Sequence, residues 1–163
     1  MAKDLQAAPG VILGVLLGVL LLPVPAPAAR NTADATLTIR LISTAGHITY
    51  RDRAPQGPSK GDVISGPSVL RNAAKQFGRP KGAVVGHDYE VITLATATTG
   101  TLRAKVYLPG GTLRVRGRWT SRTNAATVPV VGGTGKYANA RGTSYVRDLS
   151  GKRSLNVYHL RIP

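Results

Sequence analysis

Few side chains in this sequence can carry a proton. The 163 residues include one glutamate, Glu90, six aspartates, three histidines and no cysteine. Without cysteine there is no thiolate nucleophile, no disulfide and no thiolate metal site. His47, His87 and His159 lie too far apart in sequence to form a metal-ligand spacing. No cofactor is called for. The densest polar run is Gly86-His87-Asp88-Tyr89-Glu90, inside an otherwise apolar stretch. Strand alternation separates Asp88 and Glu90 from His87 and Tyr89, so one pair faces inward. Burying two carboxylates is costly unless they are paired or protonated, and that environment raises their pKa values toward acid–base use. Burying His87 and Tyr89 is the cheaper arrangement. Glu90 and His87 are the candidate proton carriers.

These residues must be positioned by strands. The chain after Arg30 is rich in Thr, Val, Leu and Gly and is cut at short intervals by Pro and Gly. Strands are expected over 35–43, 46–51, 68–74, 82–94, 101–108, 112–120, 126–131, 141–148 and 154–162. Only 69–77 has the composition for a short helix. Pro109-Gly110-Gly111 and Ser150-Gly151 read as hairpin corners. Leu102, Ala104, Val106 and Leu108 share one face of their strand, opposite Arg103, Lys105 and Tyr107. Leu113, Val115, Gly117 and Trp119 oppose Arg114, Arg116 and Arg118 in the same way. Such period-two patterns put one face on a core and the other in water. The architecture is therefore all-β and antiparallel. An eight-stranded barrel hides every edge, and a sandwich is the competing arrangement. Tyr107, Trp119 and Tyr158 are candidates to line a cavity, or else plain packing residues. Asp62 reads as a turn-holding or arginine-pairing acid with a possible hand in substrate binding.

Lys and Arg number 22 against seven acids, a formal charge of +15. Hydrophobic residues make up 42 %, so the chain is no disordered polycation. Its length suits one domain and excludes a multi-domain cofactor enzyme. Arg103, Lys105, Arg114, Arg116 and Arg118 form one outer stripe if their strands are neighbours. That field would attract an anionic polymer or an anionic membrane surface. One Trp and one Phe are too few for stacking on single strands, which argues against nucleic acid. Homo-oligomers are compatible with the sequence.

No charge occurs between Leu5 and Ala29, and the apolar core runs from Val11 to Leu22. That core is short for a bilayer span and normal for a signal peptide. Ala26 and Ala28 fit a small-x-small cleavage site. Residues 1–28 are thus expected to be a signal segment of an exported, secreted protein, with 29–163 as one barrel domain. A retained membrane anchor is the alternative.

The segment Val131-Gly132-Gly133-Thr134-Gly135-Lys136-Tyr137-Ala138-Asn139-Ala140-Arg141-Gly142 is neither a Walker loop nor a dinucleotide loop. Its glycines read as a sharp turn at a barrel rim, with Tyr137 packing before the next strand. The segment resembles the GGTG-x-[FY]-x-x-A-x-G signature of dirigent proteins and allene oxide cyclases. The preceding Gly111-Thr112-Leu113-Arg114-Val115-Arg116-Gly117 and the pair Gly61-Asp62 resemble further parts of that superfamily's pattern. The resemblance covers roughly 48–162. It implies an eight-stranded antiparallel barrel with a mostly apolar cavity that steers reactive small molecules, and it implies a cavity role for Arg141. A guanidinium there would hold a carboxylate, phenolate or enolate oxygen. Tyr137 would pack or donate a hydrogen bond. His47 and Tyr50 stand where allene oxide cyclases carry glutamates, and Lys136 where many dirigent proteins carry Asp, so neither plant activity transfers whole. Two functions stay open. One is a small-molecule cyclase or isomerase acting on a hydrophobic, oxygen-bearing substrate. The other is a non-catalytic binding protein, dirigent-like or attached to an anionic surface.

Overall fold

The computed structural model describes residues 35–163. The expected signal segment lies outside the described residues. Nine strands follow one another: β1 (Ala35–Ala45), β2 (Thr49–Arg51), β3 (Val63–Asn72), β4 (Val84–Thr96), β5 (Thr99–Leu108), β6 (Gly111–Thr120), β7 (Ala125–Gly135), β8 (Arg141–Asp148) and β9 (Arg153–Ile162). All pairings are antiparallel, and neighbours in sequence are neighbours in space from β3 through β9. β1 closes the ring. It pairs with β9 along one edge, from Ala35↔Ile162 to Thr44↔Arg153, and with β3 along the other, from Leu41↔Asn72 to Ala45↔Ser68. The result is an eight-stranded antiparallel barrel, with β2 as a short flap on β3. Closure leaves no long edge exposed, and it decides the barrel over the sandwich.

Alternation sets what the barrel holds. Leu102, Val106 and Leu108 on β5 and Leu113 and Val115 on β6 are buried, as their spacing predicts. They join Ile39, Leu41, Leu70, Val85, Val130, Tyr137 and Leu160 in one cluster. Most of these sit toward the end of the barrel where the β5–β6 and β7–β8 turns lie, so that end is plugged.

Two local expectations are corrected. The 69–77 segment makes no helix, and the strand also expected over 68–74 is what forms, as far as Asn72. Val69–Asn72 continue β3, and the chain then bends through a bridge between Gln76 and Arg79. The buried Asn72 Nδ2 donates to the Gln76 and Arg79 carbonyls at 2.8 and 3.1 Å, holding that bend. The glycine run is also not itself the turn. Gly132 and Gly133 belong to β7, where the β6–β7 register slips between Arg114 and Val115. A side chain on Gly133 would collide with the carbonyl oxygens of Thr112 and Tyr137, so only glycine lets β7 pass this close. The turn follows from Gly135, at φ +60, through 136–140.

Candidate functional site

The opposite end of the barrel is open. A cavity of about 640 Å³ runs in from the mouth formed by the β6–β7 and β8–β9 connections and the end of β1. Its walls are mixed. Ile92, Leu102, Trp119, Val128 and Val146 give apolar surface, and Ser43, Ser68, Ser154 and Glu90 give polar groups. Arg118, Lys152, Arg153 and Asp148 stand at the rim. A smaller hollow of about 110 Å³ between the β1–β2 connection and β3 is also bordered by Ser68, Glu90 and Ile92, so Glu90 reaches both.

Glu90 lies on the inward face of β4 because Ile92 and Leu94 share its parity and point the same way. Burial raises its pKa to about 7, and the charges of Asp88 and Asp148 push in the same direction. Asp88, two residues earlier, is fully inside. Burial raises it to about 6, against the hydrogen bonding of Ser68 and the field of His87. Ser68 is its direct register partner on β3. Asp88 Oδ1 and Asn156 Oδ1 are buried acceptors with no hydrogen-bond partner in the protein. Tyr158 is buried opposite Ser144 on β8. Its phenol is pushed well above the ordinary range by burial, and further by the charges of Asp88 and Glu90. Ser68, Asp88, Ser144, Asn156 and Tyr158 thus form a polar belt between the plugged end and the cavity.

Of the residues singled out in the sequence, Glu90 and Trp119 line the cavity. Tyr158 is interior without bordering it. Four lie elsewhere. His87 is exposed and faces outward, stacked on Tyr107, which is outside the barrel as well. The cheaper burial of His87 and Tyr89 is therefore not what occurs. Ile92 and Leu94 fix the parity of the strand, and the carboxylates go in with them. Arg141 does not enter the cavity. It is exposed, and its guanidinium donates to the Val131 and Ala140 carbonyls at 3.0 and 3.1 Å, because Gly142 and Ser144 take the inward positions of β8. Tyr137 is buried in the plugged end, its hydroxyl donating to the Pro109 carbonyl at 3.1 Å.

Asp62 holds a loop. It accepts from the Tyr50 hydroxyl at 2.6 Å, the Arg53 amide at 2.9 Å and the Ser59 amide at 2.7 Å. Those bonds, the Tyr50 hydroxyl foremost, lower its pKa and outweigh the cost of burial. Asp88, Ser68, Ser144 and Asn156 are interior groups that were not anticipated. The signal for them was parity: Asp88 with Ile92 and Leu94, and Asn156 with Leu160. Among the described residues no cluster of three or more His, Asp or Glu side chains could hold a metal ion.

The family model for dirigent-like proteins matches residues 62–162. No curated protein sequence matches the chain. Among solved structures, a pyocyanin demethylase superposes with a TM-score of 0.66 at 20 % identity, covering 76 % of this chain and 99 % of that one. An exo-specific intermolecular Diels-Alderase gives 0.63 at 11 % identity, covering 79 % and 98 %. A pterocarpan synthase dirigent protein gives 0.61 at 14 % identity, covering 89 % and 100 %. At these identities the likeness is one of fold.

Proposed function

Because this chain belongs to the dirigent-like protein family, we propose that its barrel takes a hydrophobic, oxygen-bearing small molecule into the open cavity and rearranges it as a cyclase or isomerase, with Glu90 as the proton carrier. The observation that carries this reading is the inward-facing Glu90 carboxyl on the cavity wall, which burial holds near neutrality at about 7. A group with that pKa is present in both protonation states at physiological pH, which general acid–base catalysis requires. Solved barrels of this shape include a Diels-Alderase and a dirigent protein, which supports small-molecule chemistry in such a cavity.

Ile92, Leu102, Trp119 and Val128 would hold the apolar body in a folded conformation, so that its reacting atoms meet without further loss of freedom. The hydroxyls of Ser43, Ser68 and Ser154 would orient an oxygen of the substrate. Glu90 would give its proton to that oxygen as negative charge develops, then recover one from carbon, leaving a net isomerisation.

The test begins with a panel of polyenes, phenols and epoxides, followed by the fluorescence of Trp119, the one tryptophan in the chain. Glu90→Gln keeps the shape and removes the proton exchange. Affinity should stay within about threefold while turnover falls at least about 100-fold. Unchanged turnover in that variant would remove the acid–base role and leave orientation alone, as in a dirigent function.

A further inference from the structure

The basic residues of β5 and β6 stand in direct cross-strand register. Arg103 is opposite Arg116, Lys105 is opposite Arg114, and Arg118 follows opposite Thr101. All five are exposed and point away from the core. Same-face positions repeat every ~6.7 Å along a strand, and neighbouring strands lie ~4.8 Å apart. The five cations therefore form a track two charges wide running along the hairpin. No carboxylate stands across from Arg103, Lys105 or Arg114, and the acid at the track's end, Asp148, shares the cavity rim with Arg118. The β4 partners of Arg103 and Lys105 are Val91 and Tyr89, and the β7 partner of Arg114 is Gly132.

The acids are placed elsewhere. Among the described residues they are Asp52, Asp62, Asp88, Glu90 and Asp148. Asp62 and Asp88 are buried, Glu90 lines the cavity and Asp148 stands at its mouth. Like charges directly opposite each other destabilise an antiparallel pair, and nothing within the sheet offsets that here. Lys105 is also held in place, its Nζ 4.9 Å from the centre of the Tyr107 ring, which is itself stacked on His87.

We propose that the outer face of the β5–β6 ribbon is a docking track for a flexible phosphate polymer. Four of its five cations are arginines, whose planar multi-donor heads suit phosphate oxygens. A linear track fits a chain lying along the hairpin. A convex barrel wall presents only this ribbon to a flat bilayer. The polymer need not carry bases, because one face of Tyr107 is taken by His87 and Lys105 lies over the ring, leaving Tyr89 as the one exposed ring beside the track.

Long-chain inorganic polyphosphate is the probe, titrated against the full chain over a salt series. Five neutralised charges at about −0.7 each predict a log K against log salt slope of about −3.5. The variant Arg103→Gln, Arg114→Gln, Arg116→Gln should bind at least about tenfold more weakly at low salt, with a slope shallower by about 2. Replacing Lys60, Lys75 and Lys81 by Gln removes the same charge from other exposed positions and should change affinity less than about threefold. If the track variant melts early, Arg116→Thr alone serves, with a slope shallower by about 0.7. Equal losses in both sets of variants, or no binding of polyphosphate, would overturn the proposal. So would tighter binding to single-stranded DNA of equal charge or to vesicles of anionic phospholipid.

Discussion

His87 on β4 and Tyr107 on β5 are register partners and stack on the outside of the barrel, with ring centroids 4.5 Å apart and planes inclined by 15°. Adjacent residues of a strand point to opposite faces. A ring pair outside therefore places Asp88 inside. The stack fits the parity that Ile92 and Leu94 set, with the histidine as wall packing and the carboxyl as an interior group.

Asp88 makes the barrel more stable in mild acid than in mild alkali. Its pKa is raised from 3.8 to about 6 in the folded chain, so the folded state holds the proton more tightly than the unfolded one. The stabilisation is complete below 3.8 and is lost as pH rises through about 6. It amounts to about 3 kcal/mol. Thermal melts of the wild type should show a lower Tm at pH 8 than at pH 5. Asp88→Asn should reduce that dependence, leaving the part due to Glu90, whose pKa is raised to about 7, and should be the more stable protein at pH 8. The same pH dependence in both would exclude Asp88 as its source.

The loop closed by Asp62 has its own pH window. The Tyr50 phenol is pushed up to about 12, chiefly by its bond to Asp62, while Asp62 is lowered. The depressed carboxyl contributes stability above its unfolded value of 3.8, lost as pH falls through the folded value. The raised phenol contributes stability below 10, lost as pH rises through about 12. Tyr50→Phe should speed hydrogen exchange at the Arg53 and Ser59 amides near neutral pH and leave exchange in β5 and β6 unaltered. Unchanged exchange at both amides would show that the backbone bonds hold the loop without the phenol.

Filling the cavity should abolish ligand binding without unfolding the protein. Ala126 lies on the cavity wall and is partly buried. Ala126→Trp places an indole in that space. Binding of any ligand that shifts Trp119 fluorescence should fall at least about tenfold, followed by calorimetry because a second tryptophan is present. Tm should move by only a few degrees. Full binding in this variant would place the ligand elsewhere.

Arg141→Met should leave ligand binding unaltered. The side chain is exposed and bonds only backbone carbonyls of Val131 and Ala140. Its loss should cost about 1 kcal/mol or less in chemical denaturation. A tenfold loss of affinity with an intact melting transition would restore a ligand-handling role.

The strands were legible because β5 and β6 alternate cleanly, and Pro109-Gly110 marks their corner without ambiguity. Barrel closure was not written in any one strand. It rested on the likeness of the glycine segment to a known signature, and β1 pairing with both β9 and β3 is its physical form. The site was legible only in part. Glu90 and Trp119 were found by residue type. The facing of Arg141 was not, because Gly142, Ser144 and Thr143 are small residues that do not declare which side of β8 is buried. The polar belt was hidden for a related reason. Ser68, Ser144 and Asn156 read as a solvent row unless their parity is tied to Leu70, Val146 and Leu160.

The barrel is solid at one end and hollow at the other. Leu113, Val106, Leu160 and Tyr137 knit the plugged end together. The mouth is shaped by residues 121–124 and 149–152, which belong to none of those layers. Foundation and working surface are thus separately addressable. The range of molecules admitted can be redrawn at the mouth while the unfolding transition stays where it is, which makes this chain a scaffold for selecting new ligands by loop variation alone.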